Sequence, residues 1–222
     1  ENATIHNGKL LGIIILVVVL GLIAFGLYRY AKGPMDKNTQ EDVITSKDET
    51  KNVDALKDDV TKDVLSSGKE VKYFTNSTGK SYTGFYAEPD IAGDYPGVVM
   101  IHEWWGLNKE IKQMAVELSK QGYRVLAVDL YGRAPAITPD EARALTTSVT
   151  PAETIANMKS AVKYLREQGS KKIASLGWCY GGGKSLELSL SGEKLNATVI
   201  YYGTPLVTDK GALGTLPAPV LG

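Results

Sequence analysis

The stretch with the clearest chemical potential is Gly177-Trp178-Cys179-Tyr180-Gly181, which directly follows an apolar run and directly precedes a helical pattern. Small residues two places before and two places after a nucleophile are typical of the sharp strand-to-helix turn that presents a catalytic side chain. Cys179 is the single cysteine, so no internal disulfide can form. At a helix N-terminus the free amides favour its thiolate form, which makes Cys179 the candidate nucleophile. The alternative is a buried, inert cysteine.

The same stretch continues into Gly183-Lys184-Ser185, which could end a phosphate-binding loop. The G-x-x-x-x-G-K-[ST] pattern of such loops would require a glycine where the chain has Trp178. An indole at that place would keep the backbone amides away from a phosphate group. The sequence therefore favours the nucleophile turn over nucleotide binding.

Composition excludes several other classes of function. Lys+Arg and Asp+Glu both total 25, so the formal net charge is 0 and no basic field attracts nucleic acid. His6 and His102 are the only histidines, and with one cysteine they are too few soft ligands for a structural zinc site. We therefore expect no metal, no organic cofactor and no nucleic-acid partner.

Alternating strands and helices must position Cys179. Turn residues predict a β-hairpin around Thr78-Gly79-Lys80, and apolar strands follow in the segments GVVMIHE, YRVLAVDLY, KKIASLGW, NATVIYYG and APVLG. Helical spacing predicts three helices, around Ile111 to Leu118 with Asn108 as the cap, around Ile155 to Leu165, and from Gly183 to Leu190. Continuous apolar strands separated by helices indicate a mostly parallel sheet covered on both faces, which is the α/β class.

An uncharged apolar run occupies residues 10–28. At about 1.5 Å per residue it reaches roughly 28 Å, close to the hydrocarbon thickness of a bilayer. We expect an uncleaved single-pass anchor that contacts the lipid bilayer through residues 10–28. A cleaved signal peptide and a buried core helix are the alternatives.

Two features of the sequence indicate opposite sides of the membrane for the folded domain. Lys9 precedes the run whereas Arg29, Lys32 and Lys37 follow it, and the positive-inside rule would then place the rest of the chain in the cytoplasm. A single N-terminal span ahead of a soluble domain usually acts as a signal-anchor, so we expect an extracytoplasmic domain.

The predicted organisation has three parts. Residues 1–28 form the membrane anchor, residues 29–69 form a charged tether too poor in apolar residues to build a core, and residues 70–222 form the folded domain.

Three ordered motifs, MIHEWWGLN, VLAVDLYGR and GWCYGGG, carry a resemblance to a known family. From about Val71 to Gly222 the chain resembles the dienelactone hydrolases (carboxymethylenebutenolidases), which are α/β-hydrolases. The resemblance implies the α/β-hydrolase fold and cleavage of a carboxylic ester or lactone through a Cys179 acyl-enzyme. It also implies that Glu103 lies beside the thiol and controls its ionisation. The backbone amides of Trp104 and Tyr180 are expected to form the oxyanion hole.

The resemblance further implies two substrate-binding residues. Arg133 falls where the family places an arginine that binds a substrate carboxylate, a group that a guanidinium fork matches; the alternative is a solvated loop arginine. Trp105 is expected to line the pocket, although core packing would explain it equally well. His102 is expected to be structural, because alternation along the strand points it away from the side of Glu103.

A thiol hydrolase of this fold also needs an acid and a histidine after the nucleophile. No histidine follows Cys179, and the one later aspartate, Asp209, precedes the strand APVLG instead of following it. The triad aspartate and histidine are thus not present in this chain. We expect a C-terminally truncated enzyme that is inactive by itself; the alternatives are a non-catalytic membrane-anchored binding module, and a thioesterase or peptidase on the same scaffold.

Overall fold

The computed structural model describes residues 67–222. The predicted membrane anchor at residues 10–28 and the tether up to residue 66 lie outside the described residues. Within the described part, no helix combines the length and the apolar character needed to cross a bilayer. The first strand begins at Gly68, close to the predicted start of the folded domain at residue 70.

The described residues form a sheet with helices between its strands. The strands are β1 (Gly68–Thr75), β2 (Ser81–Ala87), β3 (Gly97–Ile101), β4 (Arg124–Val128), β5 (Ile173–Trp178), β6 (Ala197–Tyr201) and β7 (Val220–Leu221). The helices are α1 (Lys109–Lys120), α2 (Pro139–Thr147), α3 (Pro151–Glu167), α4 (Tyr180–Leu190) and α5 (Lys210–Leu213).

The sheet has seven strands in the order β1-β2-β4-β3-β5-β6-β7. Strands β1 and β2 form an antiparallel hairpin, and β2 also pairs antiparallel with β4. Strands β3 to β7 pair with one another only in parallel. This topology confirms the predicted α/β class with a mostly parallel sheet. Because parallel strands end at the same edge, the residues that follow β3, β4, β5 and β6 are brought together there.

Successive residues of the central strands serve opposite faces of the sheet. Val98 and Met100 of β3 pack on the side that carries Ile111 and Ala115 of α1. The intervening β3 residues, Val99 and Ile101, pack on the other side, with Met158, Ala161, Val162 and Leu165 of α3. The parallel strands are therefore buried on both faces, which holds their carboxyl ends at fixed places.

Local polar residues set the ends of the predicted elements. Asn76 Oδ1 accepts a hydrogen bond from the Lys80 amide at 2.9 Å and closes the predicted hairpin. Asn108 Oδ1 accepts from the Ile111 amide at 3.0 Å, so Asn108 caps α1 as predicted.

The structure corrects the helix predictions in three places. Helix α4 begins at Tyr180, directly after the nucleophile turn, and not at Gly183. Helix α2 was not predicted, although Thr138 caps it and Pro139 begins it, both of which are helix-start signals in the sequence. The short helix α5 was also missed; its cap is Asp209.

Candidate active site

Cys179 occupies the junction between β5 and α4 in a strained backbone conformation, with φ 50° and ψ −119°. A positive φ is unfavourable for a residue with a side chain, and such strain persists only where the surroundings enforce it. The Cys179 amide donates to Tyr201 O at 3.0 Å, and its carbonyl accepts from the Thr204 amide at 2.9 Å. The end of β6 and the loop after it therefore hold Cys179 through both its amide and its carbonyl.

The two glycines that flank the turn are required by close backbone approach. A Cβ on Gly177 would lie 2.1 Å from Gly181 O, and a Cβ on Gly181 would lie 2.3 Å from Ile101 O. No side chain can be accommodated at such distances without moving the main chain. The predicted need for small residues at these two places is confirmed.

Gly182 and Gly183 allow α4 to approach the end of β6 and the loop that follows it. A Cβ on Gly182 would lie 2.7 Å from Gly203 Cα and 3.1 Å from Tyr201 O, and one on Gly183 would lie 2.5 Å from Pro205 O. The same loop accepts no side chain here and holds Cys179 through Thr204.

The Cys179 side chain is a free thiol and is partly exposed. It therefore differs from a cysteine packed inside the hydrophobic core. The competing phosphate-loop interpretation is disfavoured by Lys184, whose ammonium group lies 2.8 Å from Glu187 Oε2 on the same helix. That side chain is largely buried and neutralised by a carboxylate, so it is not available to hold a phosphate group.

Glu103 follows the end of β3, at the same sheet edge as Cys179. Its Oε1 atom accepts a hydrogen bond from the Tyr202 hydroxyl at 3.2 Å. Desolvation, and then the charge of Glu103, raise the pKa of Tyr202 to about 12, with a smaller contribution from Cys179. The phenol is thus protonated at neutral pH, donates to the carboxylate and lies within electrostatic range of the thiol.

Sequence reasoning missed Tyr202. It directly follows β6 and has a positive φ of 38°, so it resembles Cys179 in being held in an unfavourable backbone conformation at a strand end. The position after β6 was the available signal, because residues at the carboxyl ends of parallel strands gather at the ligand-binding edge of such sheets.

The two predicted oxyanion amides belong to a turn and to a helix start. Glu103 O accepts a hydrogen bond from the Gly106 amide at 3.3 Å, so residues 103–106 form a turn. The hydrogen bond that closes this turn does not use the Trp104 amide. Tyr180 is the first residue of α4, where amides have no carbonyl one turn earlier in the helix. The Trp104 amide is thus not used by its turn, and the Tyr180 amide is not used by helix α4.

Tyr131 connects these two segments. Its hydroxyl donates to Trp104 O at 3.2 Å, and its ring centroid lies 6.0 Å from that of Tyr180. Burial, and then the neighbouring Tyr180 phenol, raise the pKa of Tyr131 above its ordinary value, so the hydroxyl stays protonated. This residue was also missed by the sequence analysis.

The predicted substrate-binding residues lie in two loops that touch. The Ala136 amide donates to Trp105 O at 2.8 Å and joins the loop after β4 to the loop after β3. Asp129 Oδ1 accepts from the amides of Tyr131 and Gly132, each at 2.9 Å, and shapes the loop that carries Arg133. Arg133 is exposed there.

Trp105 is partly exposed, and its ring packs edge-on against that of Trp104 with centroids 5.0 Å apart. The two indoles thus form a rigid apolar surface beside the Glu103 turn. This arrangement is compatible with contact to a substrate.

Two remaining titratable residues have structural roles. His102 is fully buried, in agreement with the expectation that it does not share the side of Glu103. Asp209 Oδ1 accepts from the Ala212 amide at 2.7 Å and caps α5, ahead of β7. Among residues 67–222 no group of histidine, cysteine and carboxylate side chains is arranged to hold a metal ion.

Comparison with known proteins agrees with this architecture. Protein usf of Aquifex pyrophilus is 32% identical over 153 residues, which cover 64% of this chain and 64% of that protein, so the match spans just under two thirds of the relative's length. A Saccharolobus solfataricus protein named "Putative carboxymethylenebutenolidase" is 28% identical over 193 residues, covering 69% of this chain and 73% of that one.

Among solved structures, the dienelactone hydrolase-like promiscuous phosphotriesterase P91 from metagenomic libraries superimposes with a TM-score of 0.59. It is 26% identical, and the match covers 69% of this chain and 66% of that one. The model of the dienelactone hydrolase family matches residues 82–222 of this chain. This range includes the turns that carry Cys179 and Glu103 and the loop that carries Arg133. The chain belongs to the dienelactone hydrolase family.

Proposed function

We propose that this protein hydrolyses a carboxylic ester or lactone through nucleophilic attack by Cys179. The observation that carries the proposal is the strained backbone of Cys179, φ 50°, held between β5 and α4 by hydrogen bonds to Tyr201 at the end of β6 and to Thr204 in the loop after it. Strain of this kind costs free energy and is concentrated at functional sites, where it fixes a side chain in a reactive position. Family membership and the relative named as a carboxymethylenebutenolidase support the same reaction class.

The proposed first half-reaction forms a thioester. The thiol proton passes to the Glu103 carboxylate, and the Cys179 sulfur adds to the carbonyl carbon of the substrate. The oxygen that becomes negative accepts hydrogen bonds from the Trp104 and Tyr180 amides. Collapse of this intermediate breaks the carbon–oxygen bond of the ester, and the leaving alkoxide takes the proton held by Glu103 and departs as an alcohol.

The second half-reaction consumes water. A water molecule adds to the thioester carbon, the same two amides stabilise the negative oxygen, and the carbon–sulfur bond breaks. One proton of the water passes to the departing sulfur of Cys179, so the products are the regenerated thiol and a carboxylic acid, which ionises to a carboxylate by releasing its proton to solvent. For a lactone the alcohol and the carboxylate belong to one ring-opened molecule.

We assign substrate orientation to Arg133 and Trp105. Arg133 is exposed on a loop joined to the Trp105 turn by the Ala136 bond, and a guanidinium group can hold a carboxylate with two hydrogen bonds. The paired indoles of Trp104 and Trp105 offer an apolar surface to the rest of the molecule. A small ester or lactone that also carries a carboxylate fits these groups.

The test follows formation of the acyl-enzyme, because this step requires only Cys179, Glu103 and the Trp104 and Tyr180 amides, all of which lie among the described residues. The intact chain is mixed with a p-nitrophenyl ester, release of nitrophenolate is recorded, and the protein mass is measured. We expect one acyl group per chain on the wild type and none on Cys179→Ala. Ser77→Ala, on an exposed hairpin residue, is the matched control and should acylate as the wild type does. Acylation of Cys179→Ala at the wild-type rate would refute the proposal.

The substrate assignment has its own test. Arg133→Met should raise the concentration of a carboxylate-bearing lactone that gives half-maximal acylation of Cys179, with the maximal acylation rate nearly unchanged. It should leave the corresponding concentration of the uncharged lactone as it is. Arg133→Lys keeps the charge but loses the fork and should be intermediate. Equal effects on both lactones would contradict recognition of the carboxylate by Arg133.

A further inference from the structure

The buried imidazole of His102 is bonded at both nitrogens to the two loops that frame the site. His102 has 0% of its surface exposed and directly follows β3. Its Nε2 atom lies 3.1 Å from the Leu130 amide nitrogen, and its Nδ1 atom lies 2.5 Å from Glu103 O. One ring therefore links the end of β4 to the turn that follows β3.

The partners decide which nitrogen carries the proton. The Leu130 amide can only donate, so Nε2 must accept and must be unprotonated. Nδ1 then holds the hydrogen and donates it to Glu103 O, which can only accept. Burial lowers the pKa of His102, which keeps the ring neutral and preserves this pairing.

The carbonyl that His102 holds belongs to the peptide unit whose other end is the Trp104 amide. A trans peptide is planar, with its C=O and N–H pointing in opposite directions. His102 Nδ1 and the Gly106 amide both donate to Glu103 O, so the carbonyl is directed toward them and the Trp104 N–H away from them. A carbonyl that accepts hydrogen bonds also makes the amide of its own peptide a stronger donor.

The peptide on the other side of Trp104 is held independently. Tyr131 donates its hydroxyl to Trp104 O at 3.2 Å, and its ring lies 4.8 Å from the His102 ring between centroids. Trp104 thus stands between two peptide planes, each fixed through its carbonyl by a buried side chain. Backbone bonds of the turn alone would hold only the first plane, through Gly106.

We propose that His102 is a positioning residue, which orients and polarises the Trp104 amide as an oxyanion donor. This inference rests on the proposed ester or lactone hydrolysis. His102 does not contact the substrate; it acts through the Glu103–Trp104 peptide. The neutral form with its hydrogen on Nδ1 is required. In the other tautomer Nδ1 could not donate to Glu103 O, and Nε2 could not accept from the Leu130 amide.

Two substitutions separate the two hydrogen bonds of the ring. In His102→Asn the side-chain nitrogen lies as many bonds from Cβ as Nδ1 does, so the bond to Glu103 O can be kept and the Leu130 bond is lost. In His102→Gln the amide reaches the place of Nε2, so the Leu130 bond can be kept and the Glu103 bond is lost. The two variants therefore each lose one buried hydrogen bond of the ring. His102→Gln loses the bond that orients the Glu103–Trp104 peptide, whereas His102→Asn loses the bond to Leu130.

The readouts are the acylation rate with a p-nitrophenyl ester, KM, and the ¹⁵N shift of the Trp104 amide. We expect His102→Gln to slow acylation by about tenfold or more with little change in KM, since loss of a whole oxyanion donor costs roughly 10²–10³. His102→Asn should stay within a few-fold of the wild type. The Trp104 ¹⁵N shift should move in the glutamine variant and be retained in the asparagine variant. Equal acylation rates for the two variants, or an unmoved Trp104 shift in His102→Gln, would overturn the inference.

A measurement on the wild type keeps the inference testable if both variants fail to fold. Proton-coupled ¹⁵N spectra of His102 should show the hydrogen on Nδ1, and a hydrogen on Nε2 would refute the positioning role. Absence of any acyl-enzyme on the wild type would count against the proposed hydrolysis instead. The Trp104 shift and the tautomer of His102 are independent of catalysis, so the two failures are distinguishable.

Discussion

Substitution of Gly177 by alanine should damage the nucleophile turn more than any ordinary glycine replacement. The added Cβ would lie 2.1 Å from Gly181 O and 2.3 Å from Gly181 C. Non-bonded atoms of this kind prefer separations of about 3.5 Å, so α4 would have to move by more than about 1 Å. Gly181 cannot retreat easily, because it packs against Ile101 O of β3 on its other side.

The expected magnitude follows from these contacts. Overpacking in a rigid interior costs about 1–3 kcal/mol, and each backbone hydrogen bond of Cys179 lost as the turn shifts adds about 0.5–1.5 kcal/mol. We therefore expect Gly177→Ala to lower the free energy of unfolding by about 3 kcal/mol or more. The thiol of Cys179 should also lose its acylation activity, since the turn no longer presents it to the two amides.

The matched control is Gly79→Ala in the hairpin turn. Gly79 has φ 85° and no neighbouring atom within 4 Å of an added Cβ, so this variant introduces backbone strain without collision. Its cost should be about 1 kcal/mol, because strain of about 1–2 kcal/mol is partly offset by the reduced entropy of the unfolded chain. Urea unfolding followed by far-ultraviolet circular dichroism measures both variants. A Gly177→Ala stability within about 0.5 kcal/mol of that of Gly79→Ala would refute the steric reasoning.

Three further predictions concern single groups. Tyr131→Phe removes the hydroxyl bond to Trp104 O and should slow acylation by about two- to tenfold in stopped-flow measurements, whereas an unchanged rate would exclude a role for that bond. Asn108→Ala removes the cap that bonds the Ile111 amide and should cost about 1 kcal/mol in urea unfolding while acylation stays as in the wild type; slower acylation would show that α1 influences the site. Burial lowers the pKa of His102 in the folded protein, so on acidification the imidazole is protonated first in the unfolded chain. The free energy of unfolding should therefore fall as pH drops below about 6.5. Unfolding curves collected across that range should show a smaller slope in His102→Asn, and an equal slope would mean that other groups are responsible.

The sequence alone was sufficient for the class of fold and for the place of the strand-to-helix turn that carries Cys179. Continuous apolar strands separated by helical patterns indicated a parallel sheet, and the cap at Asn108 was readable because it acts within a few residues of itself. The turn around Cys179 was readable because Gly177 and Gly181 stand at fixed places beside it, although the contact that requires Gly181 is made with Ile101 O of the distant strand β3.

Only the tertiary structure showed which side chains hold the loops at the edge of the sheet that carries Cys179. Tyr202, Tyr131 and His102 act across large sequence separations, with partners at Glu103, Trp104 and Leu130 respectively. No local pattern distinguishes a tyrosine that bonds a distant carbonyl from one that fills the core. These contacts exist because β3, β4, β5 and β6 end at one edge of the sheet, and only the strand order places their following residues side by side.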